Sequence, residues 1–413
     1  MTKNTRRIEL ACYATNICMA IIGNLPPILF LTFRSLYGIS YSMLGLLVLI
    51  NFSSQLAIDL IFSFFSHRFN IPRAVKAAPA FTLLGLAVYA VWPILLPQTI
   101  YPGLVIGTVI SSIGSGFAEV LITPVIAALH PNDDRAISAL HSVYAWGAVG
   151  VILIASLFLL CFGGENWTYL ALLFLLVPLY GTVQFARAEL PPMQTPERVS
   201  GALHLLRNPA LILCVAAIFL GGSAECSMAQ WASGYLEQAL GIPKAVGDIF
   251  GVALFGMMLG LGRTLYTRFG RCISRVLLLG AIGAAACYLT VALCGIPLVG
   301  LAACALTGFC VSMLWPGSLI VASDRIPSGG VFVYAIMAAG GDLGAAVGPQ
   351  LIGIITDAAI ASPTAAALAA RLALSPEQFG MKLAMLVGML FPLAAIPVFA
   401  VIHRTAKRHA AEA

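Results

Sequence analysis

The stretch Gly114-Ser115-Gly116-Phe117-Ala118-Glu119-Val120-Leu121-Ile122-Thr123-Pro124 sets one carboxylate in the middle of an apolar run from about Ile100 to Leu129. An ionised group at the centre of a bilayer costs at least ~2.5 kcal/mol, so such groups face a protein interior or a water-filled path and have work to do there. Glu119 is therefore the first candidate functional residue, as a carrier of a proton. The competing reading is a hydrogen-bonded acid that only ties helices together.

Working outward, the run is one of many. The chain has 413 residues, of which 60% are hydrophobic and 9% charged, with mean hydropathy +0.98. A water-soluble chain carries roughly 25% charged residues, and a surface this apolar would aggregate in water. The composition specifies an all-α integral membrane protein. The formal charge of +6 is scattered through short loops with no continuous basic tract, which argues against nucleic acid as a partner. The ten cysteines lie almost entirely in apolar segments, with no C-x-x-C pair and no histidines at metal spacing, and read as small buried hydrophobes.

Apolar segments fall at about 8–33, 41–65, 77–96, 100–129, 136–162 and 167–187, then at about 209–235, 245–267, 273–295, 297–322, 331–358 and 380–402. Each is long enough to span a bilayer, and the first is too long for a cleaved signal segment. The connection from 188 to 208, with Pro191, Pro192, Pro196 and Arg198, is the one internal stretch that reads as a linker. The expected organisation is thus 1–187, a six-helix half; 188–208, a cytoplasmic linker; and 209–413, a second six-helix half.

Seventeen of the 22 Lys and Arg residues fall on the side that holds both termini and the linker, four fall on the other side, and Arg263 lies within a segment. That bias places both termini in the cytoplasm, in a multi-pass protein of the cell membrane. The halves also match each other in order. His67-Arg68-Phe69 matches Thr267-Arg268-Phe269; Gly116-Phe117 with Pro124 matches Gly308-Phe309 with Pro316; Asp134-Arg135 with Tyr144 matches Asp324-Arg325 with Tyr334. Twelve transmembrane helices in two parallel six-helix repeats, with a substrate path at the midplane, follow from this pattern.

Over essentially its whole length the chain resembles the major facilitator superfamily. Within it, Gly114, Gly116, Glu119 and Pro124 meet the G-x-G-x-x-E-x-x-x-x-P spacing of the fucose permease and sugar:proton symporter branch. The runs Leu140-His141-Ser142-Val143-Tyr144-Ala145-Trp146-Gly147-Ala148 and Ser223-Ala224-Glu225, with Trp231 and Tyr235, look like the same branch. There are two departures. The fucose member carries a proton-linked carboxylate in its first helix, where this helix is read as offering only Asn16, Asn24 and Pro26-Pro27. The second loop reads Ser66-His67-Arg68-Phe69-Asn70 where an Asp-Arg and a Gly are the superfamily pattern.

Five charged residues lie well inside apolar segments: Asp59, Glu119, Glu225, Arg263 and Asp342. Their repeat-matched positions hold Leu259, Val311, Ile152 (for Asp342) and Ser63 (for Arg263), so these charges read as additions for chemistry rather than scaffold. Glu225 with Trp231 six residues on suits a sugar, the acid accepting hydroxyl hydrogens and the indole covering the C–H face. His141 and Tyr144, at i and i+3, share a helix face that the resemblance puts on the central cavity. Asp342, after Gly340-Gly341, is a further substrate-binding candidate. Asp59 and Arg263, nearer the cytoplasmic ends, read as gating residues, with snorkelling to the interface as the alternative.

No phosphate-binding loop is present, so ATP does not supply the energy, and no nucleophile or metal constellation suggests an enzyme. The expectation is a secondary active transporter, a proton-coupled symporter taking up a small neutral solute such as a monosaccharide by alternating access. It needs no cofactor and works as a monomer. The rival is proton-driven efflux of cationic amphiphilic compounds, because Glu119, Glu225 and Asp342 equally suit an organic cation.

Overall fold

The computed structural model describes residues 3–65, 68–130, 134–191, 202–270, 272–326 and 330–412, and every regular element among them is helical. Most of the linker, part of the second loop at Ser66-His67 and the side chains of Asp134 and Arg135 lie outside the described residues; Ala202–Arg207 forms a short 3₁₀ turn. Twelve spans are long and apolar enough to cross a membrane. The architecture is that of an all-α membrane protein with twelve transmembrane helices.

The helices of the first half are α1 (Lys3–Tyr37), α2 (Tyr41–Phe65), α3 (Ile71–Leu95), α4 (Ile100–Leu129), α5 (Asp134–Phe162), α6 (Trp167–Phe174) and α7 (Leu176–Ala186). Those of the second are α8 (Pro209–Gln238), α9 (Lys244–Gly247), α10 (Leu254–Phe269), α11 (Ile273–Leu293), α12 (Pro297–Val311), α13 (Leu314–Arg325), α14 (Gly330–Ala361), α15 (Pro363–Arg371), α16 (Pro376–Gly388) and α17 (Leu390–Glu412). A π-helical turn, Asp248–Ala253, joins α9 to α10.

Three segments that read as continuous in the sequence are broken in space, and each break has the same cause. Proline has no N–H to give to the carbonyl four residues back, and its ring crowds that carbonyl. Pro178, Pro316 and Pro392 stand four residues after Phe174, Ser312 and Gly388, which is where α6, α12 and α16 end or have just ended. Pro124 and Pro349, by contrast, are carried inside the continuous helices α4 and α14.

The chain divides into two compact units, Met1–Gly38 with Ile50–Val199, and Ile39–Leu49 with Ser200–Ala413. In the first, α3 packs along α4, and α1 along α5 and α7. In the second, α14 packs along α8 and α16, while α11 packs along α12 and α17. Helices in lipid gain no hydrophobic drive from pairing, so small residues that let backbones approach closely decide which of them meet.

Candidate functional site

In the first unit the two glycines of the α4 motif serve two different neighbours. A methyl group added at Gly114 would stand 2.6 Å from the Ala78 carbonyl oxygen of α3 and 2.6 Å from the Thr82 hydroxyl. One added at Gly116 would stand 2.7 Å from Ile58 of α2 and 3.3 Å from the Gln55 carbonyl oxygen. Gly116 therefore sets the close approach that lets the Gln55 amide donate directly to the Glu119 carboxylate. One turn earlier on α2, Asn51 Oδ1 accepts from Ser112 Oγ at 2.6 Å. Asp59, buried, continues the same i, i+4, i+8 stripe of α2.

Glu119 is exposed although it sits mid-span, and among the described residues no cationic side chain is paired with it. Its recorded partner is a neutral amide. On α5, His141 and Tyr144 are exposed, as are Ser142, Ala145 and Trp146, and the Leu140 carbonyl beside them accepts from Asn16 Nδ2 at 2.6 Å.

The second unit treats its carboxylate differently. Because Pro316 has no N–H, the carbonyl of Ser312 loses its helical donor where α12 stops, and Arg263 Nε of α10 fills the gap at 3.0 Å. The same guanidinium reaches Glu225 Oε1 of α8 through Nη2 at 3.5 Å. A cation at the C-terminal end of a helix is also favoured by the helix dipole. Gly262 makes room for this: a methyl group there would lie 2.7 Å from Ser312 Cβ and 3.2 Å from the Phe309 carbonyl oxygen. Arg263 thus turns into its own unit, towards Ser312 and Glu225, rather than along the span as the snorkelling alternative had it.

Next to this pair, α8 and α14 cross on glycine. A methyl group at Gly222 would stand 2.8 Å from the Gly341 carbonyl oxygen and 3.0 Å from the Trp315 ring, and one at Gly341 would run into the same ring. Trp315 of α13 therefore lies against the crossing, three residues before Glu225 on one helix and one residue before Asp342, which is buried, on the other. Sequence reading missed Trp315. The signal was there, since it directly precedes the repeat-matched Pro316.

Trp231 does not present itself as an open sugar platform. It is 1% exposed, its indole N–H donates to the Pro349 carbonyl oxygen at 2.8 Å, and its ring lies 6.0 Å from that of Tyr41. Five further polar groups escaped the sequence reading. Lys244 Nζ lies 3.6 Å from Asp248 and 3.7 Å from Glu237, an i, i+4 pair joined to the end of α8. In the first unit Glu9 of α1 pairs with His130 at the end of α4. Among the described residues no group of three or more His, Cys, Asp or Glu is placed to hold a metal ion.

Two units of packed spanning helices with polar groups at their midpoints are the design of a membrane transporter. Residues 11–349 match the family model described as Major Facilitator Superfamily, and the chain belongs to that superfamily. No curated protein matches its sequence. Among solved structures it is similar to a bacterial homolog to the human lysosomal transporter Spinster, inward-facing and occupied, at TM-score 0.70 and 13% identity over 98% of both chains. It is similar to the nucleoside transporter NupG at TM-score 0.74 and 10% identity, over 97% of this chain and 100% of that one. It is similar to the superfamily transporter FucP in the outward conformation at TM-score 0.62 and 16% identity, over 96% and 98%. At these identities the likeness shows the fold.

Proposed function

We propose that this transporter takes up a small neutral polyhydroxylated solute, such as a monosaccharide, together with protons, from outside a cell membrane whose cytoplasmic face holds both termini. The observation that carries the reading is the unequal treatment of two mid-span carboxylates. Glu225 has an arginine, so its charge is balanced in place. Glu119 has an amide, which hydrogen-bonds a carboxylate and a carboxylic acid alike. Glu119 is thus the group whose charge can change without stranding a cation, and carrying an unpaired carboxylate through a closed, dry intermediate is far costlier than carrying a neutral acid.

Glu225, Asp342, His141 and Tyr144 supply hydroxyl partners in this reading, and Trp315 takes the place of the sugar-facing indole. We assign Trp231 to helix packing and keep Asp59 and Arg263 as gating residues. Efflux of organic cations is less well supported, because Arg263 already answers Glu225.

Glu119→Gln, in proteoliposomes screened with monosaccharides, polyols and lipophilic cations, is expected to exchange substrate down its own gradient and to lose accumulation driven by an acidic exterior. Continued concentration of substrate by the Gln variant refutes the assignment and moves the proton to another acid.

A further inference from the structure

Asp357, near the C-terminal end of α14, takes no part in the site above, yet both its oxygens are engaged. One accepts from the Tyr41 backbone N–H at 3.1 Å; the other accepts from the Ser42 N–H at 2.7 Å and the Ser42 hydroxyl at 2.5 Å. These are first-turn amides of α2, which have no acceptor within their own helix. Ser40 caps the next amide, its Oγ accepting from Met43 N at 3.3 Å. A negative charge at this end is further favoured by the dipole of α2.

At its closest points the rest of the seam runs on glycine. A methyl group at Gly45 would stand 2.9 Å from Gln350 Oε1 and 3.2 Å from the Pro349 carbonyl oxygen, and one at Gly353 would run into the Tyr41 carbonyl. Tyr41, fully buried, rests beside Trp231. The helix itself changes allegiance along its length: Ile39–Leu49 cluster with the second unit, and α2 from Ile50 onward belongs with the first.

We propose that Asp357 is a gating residue, a releasable clasp on the first turn of α2 that is closed in this conformation and opens during the transport cycle. Its chemistry suits release. Each of its hydrogen bonds is traded for one to water on opening, so the net hold is modest. Opening during the cycle rests on the superfamily's alternating access alone, and is independent of which solute or ion is carried.

The test uses the full chain in detergent micelles with two added cysteine reporters, each alkylated by N-ethylmaleimide and read by mass spectrometry against the ten native cysteines. Gln350→Cys sits in the seam, and Ala145→Cys sits on the exposed part of α5. Asp357→Ala is expected to raise labelling at 350 roughly tenfold, and Asp357→Asn, which keeps one acceptor, by a smaller factor. Labelling at 145 is expected to fall in step, because opening one end of the path closes the other. Unchanged labelling at 350 in both variants removes the clasp, and a rise at 350 with 145 unmoved marks a local helix cap; either result overturns the proposal. If the Ala variant fails to fold, the Asn variant carries the test.

Discussion

Trp231 offers a sharp test, because its position in the fold reverses what its neighbourhood in the sequence suggests. As a sugar platform it would be dispensable for folding. In the structure it is 1% exposed and its N–H is bound at 2.8 Å by the Pro349 carbonyl. Removing a buried Trp side chain costs ~3–5 kcal/mol in water-soluble proteins, part of it the transfer of apolar surface from water. That part is missing when the unfolded reference remains in lipid, so the cavity left between α8, α14 and Tyr41 supplies ~2 kcal/mol. The lost N–H···O bond adds ~1 kcal/mol, within the range measured between membrane helices. Trp231→Ala is therefore expected to lose ~3 kcal/mol, and Trp231→Phe, which refills most of the volume without the N–H, ~1–1.5 kcal/mol. Equilibrium unfolding in mixed micelles, monitored by circular dichroism, measures both. A Trp231→Ala variant as stable as wild type but with weakened substrate binding refutes the argument and returns the indole to the binding surface.

The Arg263–Glu225 pair is expected to behave as a unit: Arg263→Gln alone leaves an uncompensated carboxylate and slows transport, while adding Glu225→Gln restores part of the rate. At 3.5 Å, with Arg263 44% exposed and Glu225 16%, the coupling energy from the double-mutant cycle is expected at ~1 kcal/mol rather than the several kcal/mol of a fully buried pair. Rates that simply multiply would show the two residues acting apart. Trp315→Phe is expected to keep substrate affinity within a few-fold, and Trp315→Ala to weaken it by roughly tenfold, about 1.4 kcal/mol; equilibrium binding to the purified protein decides, and an unchanged affinity in the Ala variant takes the ring out of the site.

The fold was legible because the hydrophobic runs and the repeat report one-dimensional facts. A run of about twenty apolar residues must span, and two halves that share Gly116-Phe117…Pro124 and Gly308-Phe309…Pro316 must share a structure. The charged site residues were legible for a related reason, since a charge such as Glu225 or Arg263 stands out against an apolar background. What the background hid were the uncharged partners. Gln55 looks like any polar residue in a helix until Gly116 brings α4 against it, and Trp315 looks like lipid-facing bulk until Gly222 and Gly341 remove the side chains that would otherwise lie under its ring. Asp357 was hidden differently. Its role comes from capping a helix 315 residues away, a pairing that no local pattern encodes.

The repeat lets the two halves be compared residue by residue. Glu119 matches Val311, the last residue of α12, so the carboxylate bound by Gln55 in the first half corresponds to the edge of the break in the second. Both halves keep the proline five residues on, Pro124 and Pro316, and each must leave one carbonyl without its helical donor. In the second half that carbonyl, of Ser312, is answered by Arg263, and the same guanidinium reaches the Glu225 carboxylate. In the first half the residue matched to Arg263 is Ser63, which has no cation to offer, and the carboxylate at the equivalent level is left with Gln55. From one ancestral pattern the halves have taken opposite electrostatic solutions. One pairs its carboxylate with a guanidinium, and the other sets its carboxylate against a neutral amide.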